Sequence, residues 1–322
     1  MRALYAREPR PDDPLSAAVV GDRPEPAAAA GWAVVEVKAA SLNHHDLWTL
    51  RGVGIAPDQF PMILGCDAAG VDLETGADVV IHAVVTDPAW TGDETLDPKR
   101  SLLSERYPGT LAQRVAVPRA NLVPKPAELS FADAACLPTA WLTAYRMLFV
   151  KSGLRPGRTV LVQGASGGVA TAAIALARIA GYQVWATART QAKRAAALEL
   201  GAHASFEPGA RLPARVDAVI ETVGAATWSH SLKALRPGGR IVVSGATSGA
   251  APSAELNRVF FLQLEVIGST MGTRAELSDL IALLVGSGLR PRIDRSVDLD
   301  DAVAGLAAMQ AGDIVGKVVI TV

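Results

Sequence analysis

The chain has 322 residues, half of them apolar and 20% charged, with a formal net charge of −1 and an isoelectric point near 6.5. That size and apolar content favour two ordinary hydrophobic cores, and the even spread of Lys and Arg leaves no basic stripe for nucleic acid or an anionic membrane, so the expected partner is a small soluble molecule. Cys66 and Cys136 stand alone without a Cys-x-x-Cys pair, which excludes a disulfide framework and a cysteine-rich zinc lobe; with no signal core and no run of roughly 18 apolar residues, the expected location is the cytoplasm.

Residues 1–123 show short alternating strands at 32–38, 77–83 and 111–117, broken by Pro and Gly, which predicts a β-rich domain. The polar, proline-punctuated stretch 86–100 predicts a surface loop, followed by a short helix at 101–105. A long helical segment over 131–150 is interrupted at Pro138. Thereafter apolar strands at 159–163, 183–187, 203–206, 216–221, 239–243 and 264–269 alternate with helices at 168–180, 191–200 and 227–235. Alternation of this kind predicts βαβ units with right-handed crossovers, giving an α/β fold with a doubly wound, parallel, six-stranded sheet. Helices at 275–286 and 299–309 follow, and the last strand, 316–322, returns to the first domain. The expected division is therefore 1–123 with 273–322 as one domain and 124–272 as the other.

The segment Thr159-Val-Leu-Val-Gln-Gly-Ala-Ser-Gly-Gly-Val-Ala170 runs from a buried strand through a glycine-rich turn into a helix. Gly164 permits the tight turn, Gly167 lets backbone approach a pyrophosphate, and Ala170 takes the third position, where a methyl fits against the strand. Ser166, Gly168 and Val169 complete the turn and open the helix, whose free N–H groups face the anion. This predicts a dinucleotide site. At the end of the next strand, Ala188 stands where NAD enzymes carry an acid for the ribose hydroxyls, and Arg189, Thr190, Lys193 and Arg194 offer donors to a 2′-phosphate. The expected cofactor is NADPH.

Further motifs are Ser41-Leu-Asn-His-His-Asp46, Leu64-Gly-Cys-Asp-Ala-Ala-Gly70, Leu137-Pro-Thr-Ala-Trp-Leu-Thr-Ala-Tyr145, Glu221-Thr-Val-Gly224, Gly238-Gly-Arg-Ile-Val-Val-Ser-Gly245, Val266-Ile-Gly-Ser-Thr-Met-Gly272 and Gly316-Lys-Val. With the glycine turn, they give nearly the whole chain a resemblance to the medium-chain dehydrogenase/reductase superfamily, and within it to the zinc-free quinone and enone reductase branch related to zeta-crystallin. The resemblance implies a GroES-like catalytic domain beside a Rossmann domain, and a homodimer.

Where the zinc enzymes of this superfamily hold their metal, the matching positions read Asn43, Cys66 and Thr139, with Asp67 for the neighbouring Glu, a poor set for tetrahedral zinc. Without a Lewis acid, alcohol oxidation is disfavoured, whereas hydride transfer to a quinone or α,β-unsaturated carbonyl needs only positioning and donors at the carbonyl oxygen. The resemblance places Asn43 and Asp46 near the nicotinamide, Asn43 as substrate donor and Asp46 orienting its neighbours. Trp48 stands where many quinone reductases have Tyr, leaving His45 or water to supply the proton. By the same resemblance His44, Thr143, Val223, Gly224, Gly245, Ala246, Ser269 and Thr270 contact the cofactor, and Lys317 approaches it from the other domain. Two alternatives stay open: an alcohol or carbonyl dehydrogenase with a variant metal site built from Cys66, Asp67 and a histidine, and a non-catalytic NADPH-binding protein.

Overall fold

Strand Trp32–Ser41 organises the first unit. It alternates buried and half-buried residues at its start and is buried on both faces at Ala39, Ala40 and Ser41, as expected of a strand that becomes central along its length. In the computed structural model, which describes residues 1–322, its antiparallel neighbours are Asp67–Asp72, Arg114–Pro118 and the returning Lys317–Thr321. Leu122–Pro124 and Asp78–Ile81 extend the sheet on one side and Ile293–Asp298 on the other. Val35, Val37, Leu64, Ile81, Val115 and Ile320 are among the residues of the core beneath it. Gly70 is required there: a Cβ would lie 2.1 Å from the carbonyl oxygen of Glu36.

This unit comprises 1–142 and 271–322. Its first boundary lies 19 residues beyond the expected 123 because helix Phe131–Ala135 packs on strands Trp32–Ser41 and Asp67–Asp72, where Ser41 Oγ donates to the carbonyl of Ala135 (2.9 Å). The expected helix at 101–105 is absent. Ser101–Leu102 instead pairs antiparallel with Val84–Val85, and Ser104 takes a left-handed conformation (φ 68°) that ends any helical run.

The second unit, 143–270, holds a six-stranded parallel sheet in the order Ala204–Phe206, Gln183–Thr187, Thr159–Val162, Val216–Glu221, Leu235–Val243, Glu265–Gly268. Helices Gly168–Ile179, Gln191–Glu199 and Ala225–Ala234 make the crossovers. Gly168–Ile179 is rich in Ala and apolar around most of its circumference, which lets it pack closely on Thr159–Val162 and Gln183–Thr187. The helical segment foreseen over 131–150 is divided by π-helical turns at Leu137–Trp141 and Arg146–Lys151; the first contains Pro138, which has no N–H for the α-helical ladder. No helix is long and apolar enough to cross a membrane.

Candidate active site

Helix His44–Leu50 starts directly after the central strand, and its first turn is fixed by Asp46. The Asp46 carboxylate accepts the backbone N–H of Asn43 (2.8 Å), the return half of a capping box, and that of Gly65 (2.9 Å). Burial nevertheless pushes its pKa up to about 6, outweighing the Asn43 hydrogen bond. Asp46 thereby ties the helix start to the loop that carries Cys66 and Asp67.

Asp67 is fully buried and is the hub of the cluster. Its Oδ2 accepts from Ser41 Oγ (2.9 Å), Asn43 Nδ2 (2.8 Å) and Lys317 Nζ (3.3 Å), while Oδ1 has no partner in the protein. Lys317, 3% exposed, also donates to the carbonyl of Leu42 (2.7 Å) and to Asn43 Oδ1 (2.6 Å). An ammonium has three hydrogens, and these three oxygens of its own unit face them. Asn43 is likewise turned inward, with one amide hydrogen on Asp67 and the other facing Ser41 O at 3.4 Å.

His45 lies beside this cluster, half-buried. Nε2 is 3.1 Å from Glu105 Oε1, and Nδ1 is 3.2 Å from Cys66 Sγ and 3.5 Å from Ser104 Oγ. Burial alone would lower the imidazole pKa, but Cys66 and Glu105 outweigh it and hold it well above the usual histidine value. Burial would raise the Glu105 pKa, and its bonds from His45 and the Leu102 N–H reverse that. Burial pushes the Cys66 thiol up, and its S–H donates to Leu103 O (3.3 Å). His44, at the helix surface, is held below the usual imidazole value by desolvation, then by Lys317 and Arg51. Trp48 is 37% exposed and carries the Arg51 guanidinium 5.1 Å from its ring centroid.

The superfamily's catalytic zinc does not fit these residues. Asn43 Oδ1 already accepts from an ammonium and Thr139 brings a neutral hydroxyl, which leaves Cys66 as the one soft ligand of the three positions. A cation placed there would also face the buried charge of Lys317.

In the second unit the glycine turn fits a dinucleotide phosphate. Gly164 has φ 70°, and a Cβ on it would strike Val223 Cγ2 at 2.7 Å; a Cβ on Gly167 would point into open space. Gly167 caps helix Gly168–Ile179, which Val169 continues, and Ser166 lies within the turn. Gly224 (φ 88°) approaches Ala246, and Gly245 approaches Thr222 O, so both glycines, Val223 and Ala246 gather at the carboxyl edge of the sheet. Ser269 is anchored through its N–H to Val243 O (2.9 Å), its buried hydroxyl has no partner, and Thr270 beside it is exposed. Thr143 is buried. After strand Gln183–Thr187, Ala188 is buried, Arg189 is exposed, and Thr190 caps helix Gln191–Glu199 by accepting from the N–H of Lys193 (3.3 Å). Arg194 is removed from the donors expected for a 2′-phosphate, since it bonds the carbonyls of Ala188 and Arg189 and pairs with Glu207.

A buried polar network unforeseen from the sequence supports this edge. Glu221 accepts from the N–H groups of Val223 (2.8 Å) and Gly224 (3.1 Å), Thr227 Oγ1 (2.8 Å) and Ser231 Oγ (2.6 Å). Gln163 donates to Ser231 Oγ and His230 Nδ1 and accepts from Thr187 Oγ1. The signal was the spacing of Thr227 and Ser231, one turn apart on a helix beginning directly after Glu221-Thr-Val-Gly224. Glu105, also missed, had no local signal.

Residues 29–127 match the alcohol dehydrogenase GroES-like domain family, and residues 168–286 match the zinc-binding dehydrogenase family. The chain has the fold of a crystal structure of an NAD-dependent alcohol dehydrogenase, 33% identical, with a TM-score of 0.92 and full coverage of both chains. The chain belongs to the medium-chain dehydrogenase/reductase superfamily. Other proteins that it resembles carry different names. It is 34% identical to spectinabilin polyketide synthase system protein NorB of Streptomyces orinoci over 94% of this chain but only 14% of that protein's length. It is 29% identical to acryloyl-coenzyme A reductase of Metallosphaera sedula over 92% of this chain and 94% of the relative. The crotonyl-CoA carboxylase/reductase AntE, determined in complex with NADP, shares the fold at 23% identity, with a TM-score of 0.91 over 100% of this chain and 94% of that one.

Proposed function

We propose that this protein is an NADPH-dependent reductase of α,β-unsaturated carbonyl compounds, enones or enoyl thioesters first and quinones second, working without a catalytic metal. The observation that carries this reading is the cluster of Asn43, Asp67 and Lys317, which puts an ammonium and an amide where a Lewis acid would be needed to oxidise a simple alcohol. The acryloyl-coenzyme A and crotonyl-CoA reductases among its relatives support the conjugated substrate. The alcohol dehydrogenase name of the 33% identical structure favours the competing dehydrogenase reading.

NADPH held in this cradle would supply a hydride to the β-carbon, and the chain must then provide a proton for the resulting enolate. His45 is our candidate proton source: Glu105 and Cys66 hold its ring, and the Glu105 carboxylate favours its charged form. Glu105 then acts as a positioning residue. Asn43 and Asp46 hold the start of the helix that presents His45, and Trp48 forms pocket wall. In the second unit, Gly164, Gly167 and the helix N-terminus cradle the phosphates, and exposed Arg189 takes the 2′-phosphate with no acid to repel it. Buried, unpaired thiols suit a reducing cytoplasm. We further propose a homodimer through the edge strand Glu265–Gly268, supported by exposed Phe260, Phe261 and Val266 beside it.

The test follows NADPH absorbance with crotonyl thioester, 2-cyclohexenone, 1,4-benzoquinone, 9,10-phenanthrenequinone and a saturated ketone, alongside metal analysis of the protein. Turnover of an unsaturated carbonyl compound or quinone by protein without stoichiometric zinc is expected. Turnover of the saturated ketone alone, or bound zinc, establishes the dehydrogenase reading instead. Arg189→Ala is expected to lower the NADPH/NADH affinity ratio about tenfold; an unchanged ratio removes Arg189 from cofactor choice.

A further inference from the structure

The parallel sheet of the second unit has a cavity at the edge opposite the glycine turn. Arg158 immediately precedes strand Thr159–Val162, Asp217 lies near the start of Val216–Glu221, Arg236 is the second residue of Leu235–Val243, and Arg240, further along that strand, pairs with Ala218 on one side and with Glu265, the first residue of Glu265–Gly268, on the other. With Ser152, Gly153, Leu154, Arg155 and Gly238 they enclose about 260 Å³. Four guanidinium groups against two carboxylates leave a formal charge of +2 on its walls.

The two acids fix their arginines and leave N–H groups over. Asp217 accepts the Arg236 Nε–H (2.6 Å) and the Thr159 N–H (2.8 Å), and Arg158 stands 3.7 Å from it. Burial would raise the Asp217 pKa, but these donors hold it below the usual carboxylate value, so its charge persists through the neutral range. Arg240 meets Glu265 through Nε (2.9 Å), leaving its two terminal nitrogens for another partner. Its guanidinium lies over Gly153, where a Cβ would come within 1.9 Å of Nη1. Arg155 is exposed on the rim with no acid beside it.

We infer that this cavity is a binding site for a small phosphorylated anion, of phosphate to pyrophosphate size, separate from the dinucleotide cradle. The pairing explains the choice of ligand: Arg240, held through Nε, presents both forked outer nitrogens, and Arg236 presents Nη2 while its Nη1 donates to Pro237 O (3.1 Å), a geometry matched to phosphate oxygens. The volume holds one such group and is smaller than the space a whole dinucleotide needs.

The experiment is calorimetric titration of the full chain with inorganic pyrophosphate, inorganic phosphate and malonate, each with and without saturating NADPH. One pyrophosphate per chain is expected with NADPH present, with affinity falling as salt rises and malonate binding at least about tenfold more weakly. Arg155→Glu and Arg158→Ala, both at exposed positions, should each weaken pyrophosphate about tenfold while NADPH affinity is unchanged. Absence of pyrophosphate binding, its loss when NADPH is added, equal binding of malonate, or indifference to both substitutions would overturn the site. If NADPH itself fails to bind, the cofactor assignment fails while the pyrophosphate result still decides this one.

Discussion

Each unit buries a carboxylate completely, and the two are satisfied to opposite degrees. Glu221 receives donors on both oxygens from neutral groups: two backbone N–H groups and the hydroxyls of Thr227 and Ser231, with Thr227 Oγ1 also 2.9 Å from Oε2. Asp67 receives three donors on one oxygen, one of them a buried ammonium, and none on the other. A saturated carboxylate locks the Gly224 turn and has nothing left to offer. An unsaturated one coupled to a buried cation is costly to maintain and holds a site poised to act. Under the proposed function, the saturated carboxylate belongs to the region that shapes a cradle and the unsaturated one to the region that does chemistry.

The largest expected effect tests that difference through the cation. Lys317→Met leaves Asp67 buried with no countercharge and should cost on the order of 3–5 kcal/mol of unfolding free energy at neutral pH, read from denaturant midpoints. Glu221→Gln keeps an acceptor for the turn but loses charge assistance and turns the acceptor facing Ser231 Oγ into an amide donor, which the rotatable hydroxyl can meet, so its cost should be about 1–2 kcal/mol. Equal costs would mean that Asp67 and Glu221 do the same structural work. Between these lies the chemical test. His45→Gln should lower kcat about a hundredfold with NADPH affinity intact. Glu105→Gln removes the negative charge that helps His45 keep its proton, so the high-pH limb of kcat should move to lower pH with a fall of about tenfold. If these substitutions change only cofactor affinity, the division of labour between the units is wrong.

What was legible in the sequence follows the range of the interactions. The βαβ alternation and the glycine turn are local patterns, and strands such as Gln183–Thr187 and Val216–Glu221 lie where apolar runs put them. Asn43 and Asp46 are legible for the same reason, as residues three apart at a helix start. The Lys317–Asp67 pair spans 250 residues and the His45–Glu105 pair 60, so no spacing rule brings them together. The contacts of Lys317 and the place of Glu105 are therefore visible only in the folded chain. The expected helix at 101–105 failed on a conformation, the positive φ of Ser104, that residue type does not announce. The domain boundary moved because helix Phe131–Ala135 follows the second domain's style of sequence but packs on the first domain's strands.

The smallest effect asks whether incomplete satisfaction extends to Asp46. Its two oxygens each accept a backbone N–H, as Glu221's do in part, yet burial raises its pKa from 3.8 to about 6. The folded state therefore holds the proton more tightly than the unfolded chain. Asp46's contribution is most favourable below pH 4, declines as the pH rises from about 4 to about 6 while only the unfolded chain ionises, and is level above that. Asn cannot ionise, so Asp46→Asn removes this decline while losing part of the acceptor capacity for Asn43 and Gly65. The variant should be less stable than the parent at pH 4.5 by about 1–2 kcal/mol, and the gap should close to within about 1 kcal/mol by pH 8. Denaturant unfolding at pH 4.5, 6 and 8 measures it. A gap that stays constant or widens would show the Asp46 carboxylate to be as well held as Glu221, confining the unsatisfied charge of the first unit to Asp67 and its ammonium.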